Sequence, residues 1–175
     1  ATRAAAALGV DLLTLHASGG RRMLEAAVRA AEAEAPSTSG GSGLRLLGVT
    51  VLTSLAAPEV AEGWGRDPGS LDPQAEVLRL AALSHESGVH GVVASPWEAR
   101  ALRARLGPDA PIVTPGIRFA GEDAHDQTRI ATPFDAVQAG ADHLVIGRAV
   151  TAAPDPQRAL ARVREEIARL EGVSP

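Results

Sequence analysis

Cysteine, lysine and tyrosine do not occur in this 175-residue chain, and aromatic side chains make up only 2% of it. Without cysteine there is no disulfide framework, no thiolate metal site and no thiol nucleophile, a composition that fits a reducing compartment. Without lysine there is no Schiff base and no ammonium that gives up its proton during turnover. All 17 basic residues are arginine, which stays charged at ordinary pH. Side chains able to move protons reduce to histidines and carboxylates. No apolar run approaches the ~20 residues of a membrane span, and the stretch Ala1 to Leu8 lacks the length and cleavage pattern of a secretory signal. A soluble, cytoplasmic protein with no membrane partner is the expectation. The formal charge is −4, and the arginines are scattered along helical stretches without interleaved aromatics, so nucleic-acid binding has no electrostatic support.

With 45% apolar residues the chain can bury one substantial core. Strand and helix patterns alternate along it. Short apolar runs at Val10 to His16, Leu44 to Leu52, Val89 to Ala94, Ile112 to Ile117 and Leu144 to Ile146 read as five strands. Helical periodicity covers Gly20 to Glu34, Asp72 to Ser87, Pro96 to Leu106, Pro133 to Ala139 and Pro156 to about Leu170. Asp72, Ser95 and Asp155 serve as N-caps, each followed by proline at the first helical position. The Ser/Gly run from Pro36 to Gly43 reads as a linker. Its Gly40-Gly-Ser-Gly43 segment is no phosphate loop, since no lysine follows and a strand comes next. Connections too long for hairpins argue a parallel sheet. Functional-looking residues after the last two strands favour a (β/α) barrel over a doubly wound sheet, because barrels build phosphate sites from the loops after strands seven and eight.

Those residues are two arginines, in Pro111-Ile-Val-Thr-Pro-Gly-Ile-Arg118 and His143-Leu-Val-Ile-Gly-Arg148, with Gln127 in a polar loop between them. A guanidinium presents a planar fork of donors to phosphate oxygens, and a neighbouring glycine lets backbone N–H groups approach the same anion. One arginine after a strand is most often a solvated surface group. Two at successive strand ends, each beside glycine, point to a phosphate monoester. The five histidines are spaced for no zinc site, so no metal is expected. His16 reads as a structural strand-end group. The cluster Asp123, His125 and Asp126 is read as a soluble loop, and Trp64 and Trp97 as packing against the exterior or a partner.

Five segments in order carry a resemblance: Leu15-His-Ala-Ser-Gly-Gly20, Val49-Thr-Val-Leu-Thr-Ser54, Val113-Thr-Pro-Gly-Ile-Arg118, Asp126-Gln127 with Thr132-Pro133, and Gly140-Ala-Asp-His-Leu-Val-Ile-Gly-Arg-Ala-Val-Thr151. Gln127 stands nine positions after Arg118, and Gly147 twenty positions after Gln127. Over nearly its whole length the chain resembles the C-terminal part of the orotidine 5′-phosphate decarboxylase family. That resemblance implies an α/β TIM (β/α)8 barrel, of which this chain would cover about the last five units, strands 4 to 8, with strands 1 to 3 absent. It also implies a homodimer and cofactor-free decarboxylation of orotidine 5′-phosphate (OMP) to UMP. Thr53 matches the hydroxyl residue that contacts the pyrimidine. Arg118 and Gln127 match substrate-binding positions on a mobile loop, and Gly147 and Arg148 match the backbone and guanidinium that hold the phosphate.

The family's reaction centre, a network of aspartates and lysines with an Asp-x-Lys-x-x-Asp segment, has no counterpart here. The chain alone is therefore expected to be inactive, with its catalytic lysine and aspartates expected before Ala1. Two other readings stand beside this one. A different sugar-phosphate barrel enzyme, whether decarboxylase, epimerase or isomerase, could use the same fold, and a non-catalytic phosphate-binding fragment could carry the same arginines.

Overall fold

The computed structural model describes residues 1–34, 43–121 and 130–170. Five strands form one sheet: β1 (Leu12–His16), β2 (Arg45–Val49), β3 (Gly91–Val93), β4 (Ile112–Thr114) and β5 (His143–Leu144). Every pairing is parallel and the spatial order is the sequence order, β1-β2-β3-β4-β5. A doubly wound sheet reverses its strand order at a switch point, and no reversal occurs here. Each crossover steps the same way, and crossovers of one hand then lay the helices on a single face.

Eight α-helices connect and flank these strands among the described residues: α1 (Thr2–Ala7), α2 (Arg21–Glu32), α3 (Ala57–Gly63), α4 (Pro73–Glu86), α5 (Pro96–Leu106), α6 (Pro133–Gln138), α7 (Arg148–Thr151) and α8 (Pro156–Ala168). The caps read from sequence are in place. Asp72 accepts from the Gln74 amide at 2.9 Å, Ser95 from Trp97 at 3.2 Å and Asp155 from Arg158 at 3.0 Å. Side chains alternate across each strand. Leu13, Leu15, Leu46, Val92 and Ile112 face the helices, where they meet Leu24, Val77, Leu80, Ala99 and Leu102 in two contiguous clusters. Gly48 lies on this face under α4. A Cβ there would sit 2.3 Å from the Ser84 hydroxyl, so the helix packs directly on the strand backbone.

The opposite face carries Leu12, Thr14, His16, Leu47, Val49, Val93, Val113 and His143 by the observed register. Its central residues Leu47 and Val113 are buried, whereas Leu12 on the first edge strand is 39% exposed and Val145, just past the last, is 52% exposed. Among the described residues the sheet is open, with β1 and β5 as edges. The parallel α/β arrangement expected from sequence is present, and closure into a barrel is not seen.

Several expected boundaries change. The strands expected to reach Leu52, Ile117 and Ile146 end at Val49, Thr114 and Leu144, because the chain leaves the ladder there to build the rim. Helix α3 occupies the Gly/Pro/Trp-containing stretch between β2 and α4. It starts with half a capping box, the Glu59 carboxylate accepting from the Ala56 amide at 2.7 Å, and alanine has no side-chain acceptor to complete it.

Candidate phosphate site at the C-terminal rim of the sheet

Parallel strands deliver all their C-terminal ends to one rim. After β4 the chain runs Pro115-Gly116-Ile117-Arg118, with Gly116 at φ 78°, a left-handed turn that favours glycine. This segment is tied down by a short parallel bridge between Ile117 and Ala131. The Arg118 amide donates to the Ala131 carbonyl at 3.0 Å, and the Ala131 amide donates to the Gly116 carbonyl at 3.4 Å. Arg118 itself is only 5% exposed, and its Nη1 donates to the Ile117 carbonyl at 2.8 Å. The guanidinium is therefore held against its own turn, buried at the rim.

After β5, the Val145 amide donates to the Thr114 carbonyl at 2.9 Å, keeping the two strand ends side by side. Gly147 then opens the four-residue helix α7, whose first residue is Arg148. A Cβ at Gly147 would meet nothing within 4 Å, so its backbone faces open space that an anion can enter. Amides in a first helical turn lack intrahelical acceptors and point out of the helix start. A short extra helix after the last strand is a recurring element of barrel phosphate sites. Sequence periodicity could not reveal α7, which is barely one turn long.

These parts meet. Arg118, Gly147 and Arg148 line one cavity of about 280 Å³ together with Pro115, Gly116, Val145 and Thr151. Pockets for whole small molecules commonly hold about 300 to 1,000 Å³, so this one suits a phosphate group with the rest of its ligand projecting outward. A larger cavity of about 520 Å³ is lined by Phe119 and residues of α8. There the acids Asp155 and Glu165 stand among Arg158 and Arg162, and the Arg162 guanidinium stacks on the Phe119 ring at 4.0 Å. Its charges offset one another, so chemistry favours the smaller cavity for an anion.

Of the other two expected site residues, Thr53 and Gln127, one lies among the described residues. Thr53 is buried but lies four residues beyond β2, in the rim turn and not at the strand end as expected, and it does not line the cavity. Gln127 lies outside the described residues, as do Asp123, His125 and Asp126. Trp97, expected to pack on the exterior or a partner, sits on this rim with its indole N–H bonded to the Ile130 carbonyl at 3.0 Å. Among the described residues no three histidine, aspartate or glutamate side chains gather as a metal site would require.

The model of the orotidine 5′-phosphate decarboxylase / HUMPS family matches residues 1–163. The chain belongs to that family. It is 46% identical over 168 residues to orotidine 5′-phosphate decarboxylase of Vibrio parahaemolyticus, an alignment that spans 96% of this chain and 68% of that protein. The enzyme of the same name from Halorhodospira halophila is 51% identical, with 96% and 67% covered. Among solved structures, orotidine 5′-phosphate decarboxylase from Lactobacillus acidophilus superposes with a TM-score of 0.77 at 34% identity, covering 95% of this chain and 67% of that one. The family relation supports a nucleotide ligand and a decarboxylase.

Proposed function

We propose that this chain is the phosphate- and base-binding part of an orotidine 5′-phosphate decarboxylase, which converts OMP to UMP and carbon dioxide without a cofactor. In this reading β1 to β5 are strands 4 to 8 of a (β/α)8 barrel. The sequential strand order and the unpaired edges at Leu12 and Val145 support it, as does the additional third of length in the relatives. Arg118, the Gly147 backbone and Arg148 hold the phosphate, Gln127 joins them, and Thr53 contacts the pyrimidine. The phosphate is remote from the bond that breaks, and its binding energy organises the reacting end of the substrate. The lysine that protonates the vacated carbon and its aspartate partners belong to the part of the barrel before β1, so the 175-residue chain alone is inactive. The assembled enzyme is a cytoplasmic homodimer.

The observation that carries this reading is the single cavity uniting Arg118, Gly147 and Arg148. The test is decarboxylation of OMP, followed by its loss of absorbance, for the chain alone and for the chain fused behind the first third of a relative. Turnover is expected only from the fusion. There Arg148→Ala removes charged hydrogen bonds of about 1.5 to 3 kcal/mol each, lowering kcat/KM roughly ten- to a hundredfold. Turnover by the chain alone overturns the division of labour, and an inactive but folded fusion overturns the decarboxylase reading.

A further inference from the structure

Trp97 is 62% exposed, yet its indole N–H is engaged by a carbonyl 33 residues away in sequence, that of Ile130. The donor end is stiff. Trp97 is the second residue of α5, Pro96 fixes the backbone before it, and its own amide donates to the hydroxyl of Ser95, a fully buried N-cap. The acceptor end leads directly to the phosphate cavity. Ile130 precedes Ala131, whose amide and carbonyl bond to Gly116 and Arg118, and both of those residues line the cavity.

We propose that Trp97 is a positioning residue for the anion site: its indole hydrogen bond clamps the Ile130–Ala131 segment against the Gly116–Arg118 turn and so presents Arg118 to a phosphate monoester. The bond crosses from the start of α5, just after β3, to the segment after β4. Phosphate bound to Arg118 therefore pulls on a chain of hydrogen bonds that ends at the indole. Removing one neutral hydrogen bond at a half-wet site weakens anion binding by roughly two- to tenfold. This inference rests on the phosphate reading of the cavity.

The chain contains two tryptophans, Trp64 and Trp97, so a ¹⁵N correlation spectrum holds two indole signals, and Trp97→Phe assigns them. Titration of the full chain with inorganic phosphate and with UMP is expected to shift the Trp97 indole signal saturably and leave the Trp64 signal in place. Trp97→Phe is expected to raise both dissociation constants two- to tenfold with an unchanged melting temperature. A stationary Trp97 signal, or equal affinities in the wild type and Trp97→Phe, overturns the proposal. Arg148→Ala separates the two levels of argument. If it weakens phosphate binding while Trp97→Phe does not, only the clamp is wrong. If neither weakens it, the phosphate reading falls and takes the clamp with it.

Discussion

Arg103 joins two loops at the N-terminal end of the sheet, and its removal can be worked out from its contacts. Its Nη1 donates to the carbonyls of Gly107 at 2.7 Å, Pro108 at 3.0 Å and Ala110 at 2.9 Å. Its Nη2 donates to the Gly140 carbonyl at 3.0 Å and to the Asp142 carboxylate at 2.5 Å. Asp142 in turn accepts from the Ile112 amide at 2.7 Å, so one guanidinium fixes the start of β4 through its partner. Gly107 and Gly140, at φ 81° and 107°, end helices α5 and α6 in the left-handed region, and Arg103 neutralises the carbonyls both helix ends expose. A single charged hydrogen bond contributes about 1.5 to 3 kcal/mol, and breaking a fully buried ion pair costs about 3 to 5 kcal/mol. The Arg103 side chain is 24% exposed and that of Asp142 41%, so water replaces part of what is lost. Arg103→Ala is therefore expected to destabilise the fold by about 2 to 3 kcal/mol, read as a lower urea midpoint at unchanged slope. Arg103→Lys should recover little, because an ammonium cannot span both loops. Phosphate affinity should not change, since the contacts lie at the end of the sheet away from the cavity. A loss below about 0.5 kcal/mol, the size of an ordinary surface substitution, would refute the reasoning.

Three further outcomes are expected. The Leu46 amide donates to Nδ1 of His90 at 3.0 Å, which requires a neutral ring with its proton on Nε2. The ring is exposed overall, but partial burial of its bonded edge, with Arg45 nearby and against the opposing pull of Glu32, holds its pKa below the usual value. The unfolded chain therefore binds this proton more tightly, and the stabilisation, complete above the unfolded pKa of about 6.5, is lost as pH falls through the folded pKa. His90→Asn keeps an acceptor but does not titrate, so urea midpoints between pH 7.5 and 5.5 should fall less steeply in it than in the wild type; equal slopes would contradict the assignment. Gly91→Ala would place a Cβ 2.2 Å from the Pro111 carbonyl oxygen, which is backbone and cannot swing aside. A loss of about 3 kcal/mol is expected in denaturant unfolding. Gly48→Ala collides with the Ser84 side chain instead, and adding Ser84→Gly should restore part of the stability, which a double-mutant cycle measures.

Local chemistry was readable from sequence. Asp72-Pro73, Ser95-Pro96 and Asp155-Pro156 each combine a side-chain acceptor with a preset φ, and each opens the helix expected, α5 over the full range Pro96–Leu106. The meeting of Arg118 and Arg148 was readable for a different reason. Both follow successive parallel strands, and parallel strands bring their C-terminal ends to the same rim. Thr53 follows β2, two strands from β4 in the sheet, and strand order alone did not say that it would stand outside the cavity. Helices α3 and α7, seven and four residues long, are too short for a hydrophobic period to register. The bonds of Arg103 to Asp142 and of Trp97 to Ile130 were not readable, because those partners lie 39 and 33 residues away and only the folded chain brings them near.

The central claim is that the rim cavity of Arg118, Gly147 and Arg148 takes the phosphate of the nucleotide. Backbone amide shifts recorded while the chain is titrated with UMP test it most directly. The signals of Gly116, Arg118, Gly147 and Arg148 should move together with one dissociation constant, and Arg148→Ala should weaken that constant. Stationary signals at those four residues, with movement instead around Phe119, Arg158 and Arg162, would contradict the account.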